Sequence, residues 1–162
     1  MLNQAETTTA IKSIPWFLDL PMESVQRLNN IADVLSLNKG EVIFSEGDQH
    51  PFMYIVIEGK VRIESFVPGR GSIPILTAES LDVIGWSSMT PVVRQKTCSA
   101  RVIEDTRLLV FNADNLTTCC EKDCELGFVI MRRLANIVAS HLLNHRLHLL
   151  EMITEQDYSN SA

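Results

Sequence analysis

Over most of the first 112 positions, apolar residues alternate with polar ones in short runs broken by glycine, proline and acidic residues. This period-2 pattern predicts half-buried strands at about 32–38, 41–45, 53–58, 60–66, 73–76, 97–103 and 107–111. Along the fourth run, Val61, Ile63 and Ser65 fall on one face and Arg62, Glu64 and Phe66 on the other. Pro68-Gly69-Arg70-Gly71 reads as a hairpin loop, and Pro74 marks the strand after it as an edge. Ahead of the strands, Ile14-Pro15-Trp16-Phe17 forms an apolar anchor. Pro21 then suits the first turn of a helix whose inner face carries Val25, Leu28 and Ile31. Val83-Ile84-Gly85 leads into a short helical turn near 86–90. Beyond the strands the period lengthens. Asp114 can cap a helix from about 115, and a long helix is expected over 123–153.

The long helix carries a second pattern. Met131, Ala135, Val138, Leu142, His145, Leu149 and Met152 are spaced 4, 3, 4, 3, 4, 3. That is a heptad seam, the arrangement one helix shows when it pairs with another. Ile130, Leu134 and Ile137 form a neighbouring stripe suited to packing within the chain. The competing reading is one broad stripe buried wholly within a monomer. The expected organisation is a flexible tail at 1–12, a strand domain at 13–122, the helix at 123–153 and a tail at 154–162.

Composition narrows the function classes. With 46% apolar and 21% charged residues in 162, the chain can bury a core of one domain. The net charge of −6 disfavours nucleic acid as a direct partner, because phosphate neutralisation needs a basic face. No run of roughly eighteen apolar residues is present, so no membrane contact is expected. Four cysteines without regular spacing point to reduced thiols and a cytoplasmic setting.

The run Gly40-Glu41-Val42-Ile43-Phe44-Ser45-Glu46-Gly47-Asp48, followed by Met53 to Gly59, has a glycine at each corner and β-branched or aromatic residues between. Its Gly-acidic pair, aromatic, second Gly-acidic pair and apolar strand ending in Gly resemble the cyclic-nucleotide-binding-domain superfamily, in particular the sensor half of catabolite activator (Crp/Fnr-like) proteins. The resemblance implies an α+β fold: an antiparallel β-roll (a double-stranded β-helix or jelly-roll) of about eight strands, with an N-terminal helix and a long C-terminal dimerisation helix. Ten residues follow Met152, too few for the helix-turn-helix domain of those relatives, so a stand-alone sensor without a DNA-binding domain is expected.

The family places its ligand against a short turn after a Gly-Glu pair. The Glu accepts from the ribose 2′-hydroxyl, and an Arg about ten residues later pairs with the phosphate. This chain reads Gly85-Trp86-Ser87-Ser88-Met89-Thr90-Pro91-Val92-Val93-Arg94-Gln95-Lys96-Thr97. Trp86 stands where the resemblance puts the Glu, and an indole N–H only donates. Two alignments place either Arg94 or Lys96 at the phosphate-pairing position. Ser87 and Ser88 add hydroxyl groups at the turn. The candidate ligand-binding set is therefore Gly85, Trp86, Ser87, Ser88, Arg94, Lys96 and Thr97. The expected ligand is an anionic small molecule, nucleotide or otherwise, with cyclic AMP bound weakly or not at all. The alternative is a ligand-free dimeric protein-interaction scaffold in which Trp86 fills a degenerate pocket. Either would act on itself as a homodimer and on an unidentified partner protein.

His141, His145 and His148 fall at i, i+4 and i+7 on the long helix, where imidazoles could share a metal. The plainer reading makes His145 a seam layer and leaves the other two in solvent. Cys119, Cys120 and Cys124 lie at or near the helix start, and the adjacent Cys119 and Cys120 read as two small buried apolar residues rather than cluster ligands. No nucleophile elbow, Gly-rich phosphate loop or metal-binding His-x-His occurs, so no catalytic residue and no resident cofactor is expected.

Overall fold

The computed structural model describes residues 4–93 and 95–160, with side chains as far as Glu155. The chain divides into two compact units, Met1–Phe128 and Val129–Ala162.

The first unit opens with α1 (Gln4–Lys12), a 3₁₀ turn (Pro15–Phe17) and α2 (Met22–Asn29). The strands are β1 (Ala32–Leu37), β2 (Val42–Phe44), β3 (Phe52–Val67), β4 (Gly71–Ala78), β5 (Val83–Ile84) and β6 (Ser99–Asn112). A second 3₁₀ turn (Trp86–Met89) lies between β5 and β6, and α3 (Ala113–Lys122) follows β6. All strand pairs are antiparallel, in the order β1-β6-β3-β4, with β2 also on β6 and β5 also on β3. Pro74 lies on β4, an edge of that order, where its missing N–H leaves no gap in the ladder. The roll closes on an apolar core that includes Phe44, Tyr54, Val56, Val61, Ile63 and Leu108. This is the antiparallel β-roll the sequence implied.

Six strands form where about eight were expected, because two apparent breaks are bulges. Gly59 reads as a turn between two strands, but β3 runs through it, shifting register against β6 at Val56/Glu58, Glu58/Lys60 and Lys60/Val61. Its φ of +92° suits a bulge. A Cβ there would collide with the Asp105 carbonyl and the Thr106 hydroxyl, so β6 passes tightly against it. The gap expected between 103 and 107 closes in the same way: β6 is continuous, and the Thr106 hydroxyl donates back to Glu104 O at 2.6 Å.

A third register shift, opposite Ile63/Glu64, leaves Ile75 as an extra residue on β4, while β3 keeps its alternation and Glu64 stays on the Arg62 side. Glu64 is 8% exposed, with Arg62 at 3.8 Å and Arg101 at 3.9 Å from its carboxylate.

Residues 4–12 are helical rather than a flexible tail. Thr7, Ala10 and Ile11 form a small buried face at i, i+3 and i+4. The Arg107 guanidinium donates to Glu6 at 2.6 Å and to Glu58 at 3.3 Å, tying α1 to the sheet. Asn112, not Asp114, caps α3: its side-chain oxygen accepts from the N–H groups of Asp114 at 3.0 Å and Asn115 at 3.1 Å.

The helix that begins at Cys124, α4 (Cys124–Asn160), extends past the expected end at 153. Asp123 precedes it and accepts from Leu126 N at 3.1 Å. In the second unit Ile130, Leu134 and Ile137 are buried, whereas Met131, Ala135, Val138, Leu142, His145, Leu149 and Met152 are exposed. By length and composition, the segment Cys124–Glu155 is apolar enough to cross a membrane. Arg132, Arg133, Arg146 and Glu151 interrupt it.

Candidate functional site

The turn after β5 begins at Gly85, with φ +70°. Two constraints meet at this residue. Left-handed backbone favours glycine, and a Cβ would stand 2.9 Å from Phe52 O, 3.3 Å from the Lys96 Nζ and 3.3 Å from the Tyr54 ring. Trp86 follows as the first residue of the 3₁₀ turn and is half-buried. Ser87 is buried. The Ser88 hydroxyl donates to Gly85 O at 2.7 Å, and the Thr90 hydroxyl lies 2.9 Å from the carbonyls of both Ser87 and Val93. Thr97 is exposed. Arg94, one of the two expected anion partners, lies outside the described residues.

Lys96 is placed by backbone pairing with the β2–β3 corner. Its N–H donates to Asp48 O at 2.8 Å, and its carbonyl accepts from Gly47 N at 2.9 Å. The side chain turns inward and is 2% exposed. Its ammonium donates to Phe52 O at 3.0 Å and Gly85 O at 3.1 Å, and lies 5.3 Å from the centre of the Phe44 ring. The sequence offered Lys96 as one of two cations that could pair with a ligand's anion. The folded chain instead gives that cation two carbonyl oxygens and an aromatic face.

No carboxylate pairs with the Lys96 ammonium among the described residues. Burial lowers its pKa from the ordinary 10.5 to about 8, with Cys98 and Asp48 pulling the other way. It is therefore mainly charged at neutral pH. Burial raises the pKa of the neighbouring Cys98 thiol, keeping it protonated.

Phe44, His50, Phe52 and Tyr54 surround this region. The His50 ring centre lies 5.6 Å from that of Phe44, 5.9 Å from Phe52 and 6.1 Å from Tyr54. Burial, and then the charge of Lys96, lower the His50 pKa, while Asp48 opposes them. Burial raises the Tyr54 hydroxyl to about 12. Sequence reading did not find this aromatic cage. The lysine meets Phe52 across 44 positions and Phe44 across 52, and no local pattern reports such contacts.

The other sequence candidates do not assemble. The His141 and His145 ring centres are 6.4 Å apart, and no group of three metal-ligating side chains occurs among the described residues. Cys119, Cys120 and Cys124 are free thiols. Cys124 is exposed, and Cys119 and Cys120 are half-buried, less buried than expected.

The sequence profile described as the cyclic nucleotide-binding domain matches residues 34–123, more than half of the chain. A cyclic nucleotide-binding domain from Methylobacillus flagellatus has a similar fold, with a TM-score of 0.75 and 19% identity over 92% of this chain and 83% of that one. The catabolite activator protein of Thermus thermophilus gives a TM-score of 0.68 and 23% identity over 85% of this chain. This chain spans 63% of that longer protein. The sensor domain of the transcriptional regulator DNR from Pseudomonas aeruginosa gives 0.69 and 17% identity, over 86% of this chain and 93% of that one.

Proposed function

Because this chain belongs to the cyclic nucleotide-binding domain family, we propose that it is a non-catalytic regulatory module that senses an anionic small molecule at the 85–97 turn. The observation that carries this reading is the Lys96 ammonium, a buried charge with carbonyl oxygens around it and no counter-ion among the described residues. Such a charge is costly to bury, and an arriving anion would offset that cost through charge-assisted hydrogen bonds. With Lys96 2% exposed, an anion reaches the ammonium only when the packing around it opens. Trp86 in place of a carboxylate leaves a ribose hydroxyl without its acceptor, which disfavours 3′,5′-cyclic nucleotides. The exposed heptad seam on α4 makes a second copy of this chain the first partner, and the paired helices would pass the signal to another protein.

A second reading is favoured by the same lysine. At 2% exposure, with two carbonyl bonds, the ammonium can serve as a permanent internal pin in a ligand-free scaffold. Thermal unfolding separates the two. A panel of nucleotides, cyclic dinucleotides and organic acids is screened against the wild type and Lys96→Met. Sensing is supported by an anion that raises the wild-type melting temperature, as linkage requires, and leaves the variant unmoved. If no anion acts and Lys96→Met melts at or above the wild-type temperature, the scaffold reading replaces it.

A further inference from the structure

Along the heptad seam of α4, Met131, Ala135, Val138, Leu142, Leu149 and Met152 are apolar and exposed. His145 interrupts them, between the Leu142 and Leu149 layers, and is exposed as well. In a parallel pair of helices, equal seam positions face one another. Pairing of two copies therefore buries one His145 imidazole against the same residue of the second copy, between layers of leucine. Each neutral ring brings a donor and an acceptor into that layer, and buried polar atoms need partners. The seam favours association everywhere except at this layer, which calls for a group that can satisfy both rings.

His141 lies one turn before His145 on the same side of the helix. Their ring centres are 6.4 Å apart, with the planes inclined by 57°. Zinc binds an imidazole nitrogen at about 2.0–2.1 Å, which holds two rings on one ion with their centres about 5–6 Å apart. Small side-chain rotations close the remaining gap, since His145 is exposed and His141 only half-buried. Histidines at i and i+4 on one helix face are the spacing that lets two rings share a metal. One chain supplies two nitrogens, and no third metal-ligating side chain joins them among the described residues. A structural zinc site takes four ligands, so this one is half complete.

We propose that the His141–His145 pair is half of an interchain zinc site, which closes when two copies of this chain pair along α4. Four imidazoles from two copies make an all-nitrogen set that suits a tetrahedral zinc ion. The metal takes up the ring nitrogens that pairing would otherwise leave unsatisfied, so zinc binding and association reinforce each other by mass action. This inference rests on the α4 pairing in the proposed function and is independent of Lys96 and its anion.

The test uses the full chain, stripped of metal with a chelator and kept reduced by a phosphine. Zinc chloride uptake is followed by calorimetry, and the dimer dissociation constant is measured by sedimentation with and without zinc. Saturation at one zinc per two chains is expected, with a dimer constant at least about tenfold lower in zinc. His145→Leu continues the leucine layers, so it should stay paired and lose both the uptake and the response to zinc. His141→Gln should pair as the metal-free wild type does and likewise lose the response. No saturable uptake, uptake that survives His145→Leu (the mark of binding at the thiols), or one zinc per chain with an unchanged dimer constant overturns the proposal. Chains that pair equally well with and without zinc remove the metal site and leave α4 pairing standing. Chains that stay monomeric in both conditions remove both. Chains that pair only in zinc support the site and make the metal a requirement for pairing.

Discussion

The Lys96 ammonium and the Gly85 carbonyl oxygen are 3.1 Å apart. This bond joins the cation beside the β2–β3 corner to the residue that launches the 3₁₀ turn. Gly85 permits the approach in two ways: it adopts φ +70° and it leaves the space a Cβ would take. Gly85→Ala should therefore cost about 1–3 kcal/mol, from left-handed strain and the clash with Phe52 O. Urea denaturation at neutral pH measures it. A loss no larger than that of an ordinary surface glycine would mean the turn can relax away from Lys96.

Lys96 also sets a pH dependence. Its folded pKa of about 8 lies below the ordinary 10.5 of an unfolded chain. Below pH 8 the lysine is charged in both states and the full cost of burying it is present. Between about 8 and 10.5 the unfolded chain holds the proton more tightly, so stability from this group rises with pH. Tyr54 acts oppositely above about pH 10, because its hydroxyl stays protonated to about 12 when folded. The gap between the wild type and Lys96→Met should shift in favour of the wild type between pH 7 and 9.5, read from denaturation midpoints. A constant gap would place the ammonium in contact with water.

Restoring a carboxylate at the turn is a direct test of ligand choice. Trp86→Glu provides an acceptor for a ribose 2′-hydroxyl, an interaction of about 1–3 kcal/mol, or about ten- to a hundredfold in affinity. Calorimetry with cyclic AMP is expected to show that gain. If the variant folds and binds no better than the wild type, the missing carboxylate is not what limits cyclic-nucleotide binding.

The α4 seam predicts association. Leu142 is 69% exposed and sits near the middle of the heptad run. Leu142→Lys places a charge in the interface of a paired helix, so size-exclusion chromatography with light scattering should report a dimer for the wild type and a monomer for the variant. A wild-type monomer at micromolar concentration would remove self-association from the proposed function.

The local pattern was enough to read the strands, and the family resemblance it carries implied the roll, because glycines, acidic corners and period-2 runs are recorded within a few residues of each other. The 86–90 turn and the long helix were legible for the same reason. Two breaks were misread, since a bulge at Gly59 has the same local composition as a turn. Only the passage of β6 against that glycine distinguishes them. The α1 helix was missed because its buried face is made of Thr7, Ala10 and Ile11, too small and mixed to give a strong period.

The site divides along the same line. The sequence by itself determined which residues occupy the turn: Trp86 where an acceptor would stand, two serines, and cations at 94 and 96. What the tertiary structure decided is where the Lys96 charge goes. Its side chain meets Phe52, Gly85 and Phe44, which arrive from three separate segments, and folding alone brings those carbonyls and that ring within reach. The physical reason is range. Periodicity encodes neighbours along the chain, whereas the fate of a buried charge depends on every group the fold closes around it.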